Sequence, residues 1–173
     1  MASCKIAFWA PALKTDKYTN AIFDYAHYNQ TILHNESIII YNKRNTENDQ
    51  ETIRRFRDHF PPSKIHPVNH WLEVDPFLVK SNTNILYLIH QEEAPPILSQ
   101  TVRNAVHCTN HIFHEFGDAT YAAISPTIHG YSVQYHNLVI HPEFYQDQEA
   151  PPQTPESMMK QFRQVFIFPN IPI

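Results

Sequence analysis

This chain predicts a doubly wound α/β domain, with a mostly parallel sheet and helices on both faces. Three observations carry that expectation. Short β-branched and aromatic runs alternate with helical periodicity from residue 5 to about residue 125, the pattern that a parallel sheet with crossover helices leaves in a sequence. Most connections between these segments are short. The run Ile38-Ile39-Ile40 shows no polar alternation, as expected of a strand covered on both faces.

Lys5 to Trp9 reads as the first strand, followed by a loop from Ala10 to Lys14. Thr15 or Asp16 is a suitable N-cap for the next helix, because a short polar side chain there accepts an otherwise unpaired backbone N–H. Ile22, Tyr25, Ala26, Asn29, Ile32 and Leu33 then recur near the helical spacing. Ser37 to Tyr41 is the second strand. Thr46 is expected to open a second helix with Ile53, Phe56, Arg57 and Phe60 on its inner face, ended by Pro61-Pro62. Lys64 to Val68 is a short third strand, and Trp71 to Val79 a short helix started or broken by Pro76. Asn84 to Ile89, Arg103 to Thr109 and Ala119 to Ile124 complete the strands, with a possible addition at Leu138 to Ile140. Residues 142–173 hold six of the fourteen prolines. They read as a proline-rich extension carrying one helix near Pro155 to Val165 and an apolar end. The expected organisation is one domain over residues 1–141 and the extension over 142–173.

Composition excludes several functions. The formal charge is -4 with 12 His beside it, and no Lys/Arg block exceeds two residues, so a polyanion such as nucleic acid is not the expected partner. Only Gly117 and Gly130 are present. Phosphate loops and dinucleotide fingerprints need glycine for close backbone approach, so both are excluded from the first hundred residues. Cys4 and Cys108 form no motif, which points to a reducing compartment. No apolar run approaches the ~20 residues of a membrane span, and no signal peptide pattern opens the chain. The expected location is cytoplasmic.

Four blocks carry a family resemblance. Ile22-Phe-Asp-Tyr-Ala-His-Tyr-Asn29 is followed by Leu33, Asn35 and Ser37 to Ile40; then come Phe56-Arg-Asp-His-Phe60, Val106-His107-Cys108 with Phe113, and Gly117-Asp118 with Tyr121-Ala122 and Ile124-Ser125. Over residues 3 to 126 the chain resembles the N-terminal half of a GT-B-fold glycosyltransferase. The resemblance implies a Rossmann-like domain that mainly holds the acceptor, and transfer of a sugar from a nucleotide-sugar in the complete enzyme. It also implies a second, donor-binding domain, which has no counterpart in these residues. Two departures accompany it. Lys17-Tyr18-Thr19 stands where that branch has Arg-Gly-Thr, and Phe116 stands where it has His. Both fall at positions expected to face the interdomain cleft.

Ligands of open α/β sheets sit beyond the carboxyl ends of the strands. Asp16, Lys17 and Thr19, at the start of the first helix, are therefore expected substrate contacts. Asp118 either presents a carboxylate to a sugar hydroxyl or closes a tight turn. His107, near the end of its strand, is the candidate catalytic residue, or else a hydrogen-bonded core histidine. Asp24 to Asn29 either line an acceptor pocket or serve packing, with Tyr25, Ala26 and Asn29 against the sheet and His27 and Tyr28 at the surface; packing is the expected role. His107, His111 and His114 share a face with Glu115 nearby only if that segment is helical, in which case zinc is the expected occupant; otherwise no metal and no cofactor is expected.

Three functions follow. The first is a glycosyltransferase-like domain binding a glycan or nucleotide-sugar. The second is a non-catalytic interaction module, with a protein partner or self-association through the apolar C-terminal tail. The third is a metal-dependent enzyme built on the segment from His107 to Glu115.

Overall fold

The structure is a computed structural model and describes residues 4–90, 96–109 and 119–123. Six strands form one sheet: β1 (Lys5–Ala10), β2 (Glu36–Asn42), β3 (Ile65–Val68), β4 (Ile85–His90), β5 (Arg103–Cys108) and β6 (Ala119–Ala123). Their order is β3-β2-β1-β4-β5-β6, and every pairing is parallel. Chain order reverses between β1 and β4, the strand arrangement of a Rossmann-like α/β fold.

The helices are α1 (Lys17–Thr31), α2 (Gln50–His59) and α3 (Val74–Lys80). The two sheet faces are buried separately because successive strand residues point in opposite directions. Phe8, Ile39, Tyr41 and Tyr87 pack with Tyr25 and Ala26 of α1 and Phe56 of α2. Ala7, Ile38, Ile40, Leu86 and Val106 pack with Val74 and Leu78 of α3. This double covering is why Ile38-Ile39-Ile40 contains no polar residue.

Asp16 caps α1, its Oδ1 accepting the Thr19 N–H at 2.7 Å. At the far end His34 takes a left-handed φ of 56°, turning the chain back into β2. The turn is held by side chains. Asn29 Nδ2 donates to Ser37 Oγ at 2.8 Å, Ser37 Oγ donates to the Ala26 carbonyl at 2.8 Å, and Asn35 Nδ2 donates to Asn29 Oδ1 at 3.0 Å. Asn29, Asn35 and Ser37 belong to the block that carries the resemblance, and their work here is structural. Tyr25, Ala26 and Asn29 are buried while His27 and Tyr28 are half-buried.

Two local expectations are corrected. α2 begins at Gln50, not at Thr46, because Asp49 is its cap and accepts the N–H groups of Glu51 and Thr52. Residues 43–49 are tied instead into the β2–α2 loop. Arg57 is exposed, and Thr52 takes the inward place beside Ile53 and Phe56. The segment after β3 is a 3-10 turn (Trp71–Glu73) leading into α3, with Pro76 in the first helical turn, where no intrahelical N–H is needed. Residues 124–173 lie outside the described residues, and with them the strand expected at Leu138 to Ile140, the helix near Pro155 to Val165 and the whole extension.

Candidate functional site

A cleft of about 410 Å³ opens beyond the carboxyl ends of β1 and β4, at the reversal of strand order. One wall is aromatic. Trp9, near the end of β1, meets Trp71 edge to face with ring centroids 5.0 Å apart, and both line the cleft. These are the chain's two tryptophans. The other wall is polar: Lys14 and Asp16 come from the β1–α1 loop, and Asn42 and Glu47 from the end of β2 and its loop. Leu88 and His90 of β4 and Ile97 of the following loop also line it.

The two loops forming the polar wall are joined by hydrogen bonds. Leu13 N–H donates to Asn48 Oδ1 at 2.9 Å, and Asp49 N–H to the Leu13 carbonyl at 2.8 Å. Asn45 Nδ2 donates to the Pro11 carbonyl at 3.2 Å, and Asn48 Nδ2 to the Asn42 carbonyl at 2.8 Å. Lys14 Nζ donates to Glu47 Oε2 at 3.1 Å and lies 3.8 Å from Asp16 Oδ2. The hydrogen bond to Glu47 raises the Lys14 ammonium above its ordinary value. The wall is thus set before any ligand arrives, which reduces the ordering that binding requires.

A larger depression, about 700 Å³, lies at the amino ends of β4, β5 and β6 around Ser99, Gln100 and Thr101. There the Asp75 carboxylate accepts from the Ser99 and Thr101 hydroxyls and from the Gln100 N–H, so its polar groups anchor a loop. It also sits at the end of the sheet opposite to that where α/β folds bind ligands. The cleft at the carboxyl ends is the better candidate.

The expected site residues separate. Asp16 and Thr19 line the cleft. Thr19 is buried, its N–H given to Asp16 and its Oγ1 accepting the Lys14 N–H at 3.5 Å. Lys17 is exposed, with its ammonium 5.2 Å from the centre of the Tyr18 ring, and it is not among the lining residues. Tyr18, where the resembling branch has glycine, does line the cleft. Asp118 lies outside the described residues.

His107 is fully buried in β5 beneath α1. Its Nδ1 is 2.8 Å from the Tyr87 hydroxyl, and its Nε2 has no hydrogen-bond partner among the described residues. Burial pushes its pKa down to about 3, so it is a neutral imidazole at physiological pH. It is not among the cleft's lining residues. Because residues 103–108 form a strand, the helical face that would bring His107 together with His111 and His114 does not begin at His107. Among the described residues no group of three or more His, Cys, Asp or Glu side chains is placed to hold a metal; His111, His114 and Glu115 lie outside them.

Trp9, Trp71, Lys14, Asn42 and Glu47 escaped the sequence-based expectations. Trp9 had a usable signal, since it stands beside the end of a predicted strand. Lys14 and Glu47 meet across 33 residues of sequence, and Trp71 reaches Trp9 from a point far later in the chain. Comparisons of the chain with protein-family models, with curated proteins and with solved structures give no match.

Proposed function

We propose that this chain is a carbohydrate-binding domain of glycosyltransferase type, taking a glycan acceptor, or the sugar of a nucleotide-sugar, in the cleft beyond β1 and β4. The observation that carries this is a shared lining: the paired Trp9 and Trp71 rings and the preset polar groups of Lys14, Asp16, Asn42 and Glu47 border one cleft. A pyranose has the matching surfaces. Its C–H face stacks on an aromatic ring, and its hydroxyls donate to carboxylates and accept from ammonium and amide groups. The strand order, with the cleft at the switch point, agrees with the sequence resemblance. In a complete enzyme of this type the sugar's anomeric carbon leaves the nucleotide diphosphate and bonds to an acceptor oxygen, whose proton passes to a base. A second domain closes the cleft and excludes water. The residues seen here would orient the sugar.

A glycan array probed with the full 173-residue chain and with Trp71→Ala tests the proposal. The expected result is a defined group of bound glycans that the variant no longer retains. Uniform absence of binding, with both proteins shown to be folded, would reject it.

The second reading, a protein-interaction module, is favoured by two apolar side chains: Leu72, next to Trp71, is 80% exposed, and Ile97, on the cleft lining, is 61% exposed. It predicts that Leu72→Ser with Ile97→Ser removes a protein partner while leaving the fold intact.

A further inference from the structure

We infer that the cleft selects uncharged sugars and turns away anionic ones, which of the two ligands proposed above favours the neutral glycan acceptor over the phosphate-bearing nucleotide-sugar; this deepens, and rests on, that carbohydrate-binding function. Three features of the site support it.

The first is the start of α1. The exposed N–H groups of a helix N-terminus attract phosphate and carboxylate ligands. Here that position already holds a carboxylate, because Asp16 Oδ1 takes the Thr19 N–H at 2.7 Å. An incoming anion would meet a like charge where a phosphate-binding fold offers free donors. Tyr18, the second residue of the helix, places its side chain on the cleft lining, in the space that a glycine would leave open for a phosphate.

The second is the balance of charge. Among the described residues, Lys14, Asp16 and Glu47 line the cleft, one cation against two carboxylates. The cation is engaged, with Glu47 Oε2 at 3.1 Å and Asp16 Oδ2 at 3.8 Å. An anionic ligand would have to displace one of its own kind to reach Lys14. Lys17, the nearest further cation in sequence, is exposed beside the Tyr18 ring and outside the lining.

The third is what remains available. Carboxylate oxygens are strong acceptors for hydroxyl donors, and a neutral pyranose supplies several hydroxyls on one side with C–H groups on its faces. The walls of this cleft therefore fit an uncharged sugar in both hydrogen bonding and stacking. A uronate or sugar phosphate keeps the stacking and adds repulsion.

The chain's only tryptophans, Trp9 and Trp71, both line the cleft, so tryptophan fluorescence, excited at the long-wavelength edge where tyrosine does not absorb, reports on the site. The test titrates the full chain with methyl glucoside, galactoside and mannoside, and with glucuronate, galacturonate and mannose 1-phosphate as charged counterparts. Low ionic strength keeps charge effects unscreened. Asp16→Asn/Glu47→Gln is titrated in parallel; asparagine remains a good N-cap and glutamine can still accept from Lys14.

The expected result is that some neutral glycoside binds at least about tenfold more tightly than its charged counterpart, a difference of ~1.4 kcal/mol. In the double variant the charged probe gains and the gap closes to about threefold or less, as expected when a repulsive element is removed. A charged probe that binds wild type as well as or better than its neutral counterpart overturns the charge selection while leaving the carbohydrate function standing. A gap unchanged in the double variant overturns the roles of Asp16 and Glu47. Fluorescence unchanged by every probe overturns both the selection and the function on which it rests.

Discussion

Acidification should destabilise this fold well above the pH at which its carboxylates titrate, and His107 should be the cause. The imidazole is fully buried against Tyr25 and Tyr87, with ring centroids 6.1 and 6.2 Å away. Its pKa is held at about 3 by burial, against 6.5 in an exposed histidine. In this window the unfolded chain takes up a proton that the folded protein refuses. The stabilising contribution is therefore fully present above pH 6.5 and declines as pH falls toward about 3. Each pH unit is worth 1.36 kcal/mol, so the loss is about 2 kcal/mol by pH ~5 and about 5 kcal/mol over the whole window. That is a large share of the ~5–15 kcal/mol that holds a typical domain. Urea unfolding followed by circular dichroism, in steps from about pH 7.5 to pH 5, measures it in wild type and in His107→Asn. Asparagine keeps a polar atom near the position of Nδ1 for the Tyr87 hydroxyl and cannot take up the proton. Its absolute stability falls by about 1–3 kcal/mol from lost packing and imperfect pairing, and its decline with acid is shallower. His59 and His66 are also shifted downward, chiefly by burial, but they remain in both proteins and cancel in the comparison. Glu36, Asp49 and Glu73 are lowered from ordinary values of 4.5, 3.8 and 4.5, so their contributions disappear below this range. Parallel stability curves for wild type and variant between pH 6.5 and 5 would refute the reasoning.

Three further outcomes are expected. Asn29→Ala removes the donor to the Ser37 hydroxyl and the acceptor of the Asn35 Nδ2; a loss of about 1–3 kcal/mol in urea unfolding is expected, with Asn29→Asp losing nearly as much because a carboxylate cannot donate to Ser37. Asp49→Ala strips the cap from α2 and should lower stability by ~1 kcal/mol, whereas Asp49→Asn should change it by a few tenths. Cys108 is buried with its thiol pushed up to about 12 by desolvation, while Cys4 is half-buried. A thiol reagent at about pH 8 should therefore modify Cys108 only after denaturant is added; labelling of both cysteines in the native protein would count against the buried β5.

The strands were legible because burial on both faces leaves an unmistakable mark. Ile38-Ile39-Ile40 and Ile85 to Ile89 have no polar interruption, and no helix of a half-exposed layer would read that way. The cap of α1 was legible for a local reason, since Asp16 bonds a backbone group three residues on. The start of α2 was not, because two rival caps stood in the sequence. Thr46 precedes a helix-compatible run, but Asn45 and Asn48 give their side chains to the Pro11 and Asn42 carbonyls. That holds residues 43–49 as a loop and passes the capping role to Asp49. Arg57 fell on the helical period beside Phe56, and only tertiary packing shows that Thr52 and not Arg57 turns inward.

The same non-local ties explain why the site was only partly legible. Sequence proximity to a strand end and a helix start led to Asp16, Lys17 and Thr19. Two of these line the cleft, while Lys17 is directed to solvent beside Tyr18. Glu47 gave no local signal at all, since it reaches the cleft because the β2–α2 loop is laced to the loop after β1. The consequence is chemical as well as structural. With Lys14 viewed alone, the loop after β1 looks like an anion site; with Glu47 and Asp16 beside it, the same lysine becomes the neutralised centre of an acidic wall. The charge preference of the cleft therefore depends on the lacing between the two loops. Asn48→Ala, which breaks the bonds to Leu13 and Asn42 without touching any lining side chain, should weaken the preference for neutral over charged sugars in the fluorescence titration. A preference that survives Asn48→Ala unchanged would show that it does not depend on the bonds of Asn48 to the two loops.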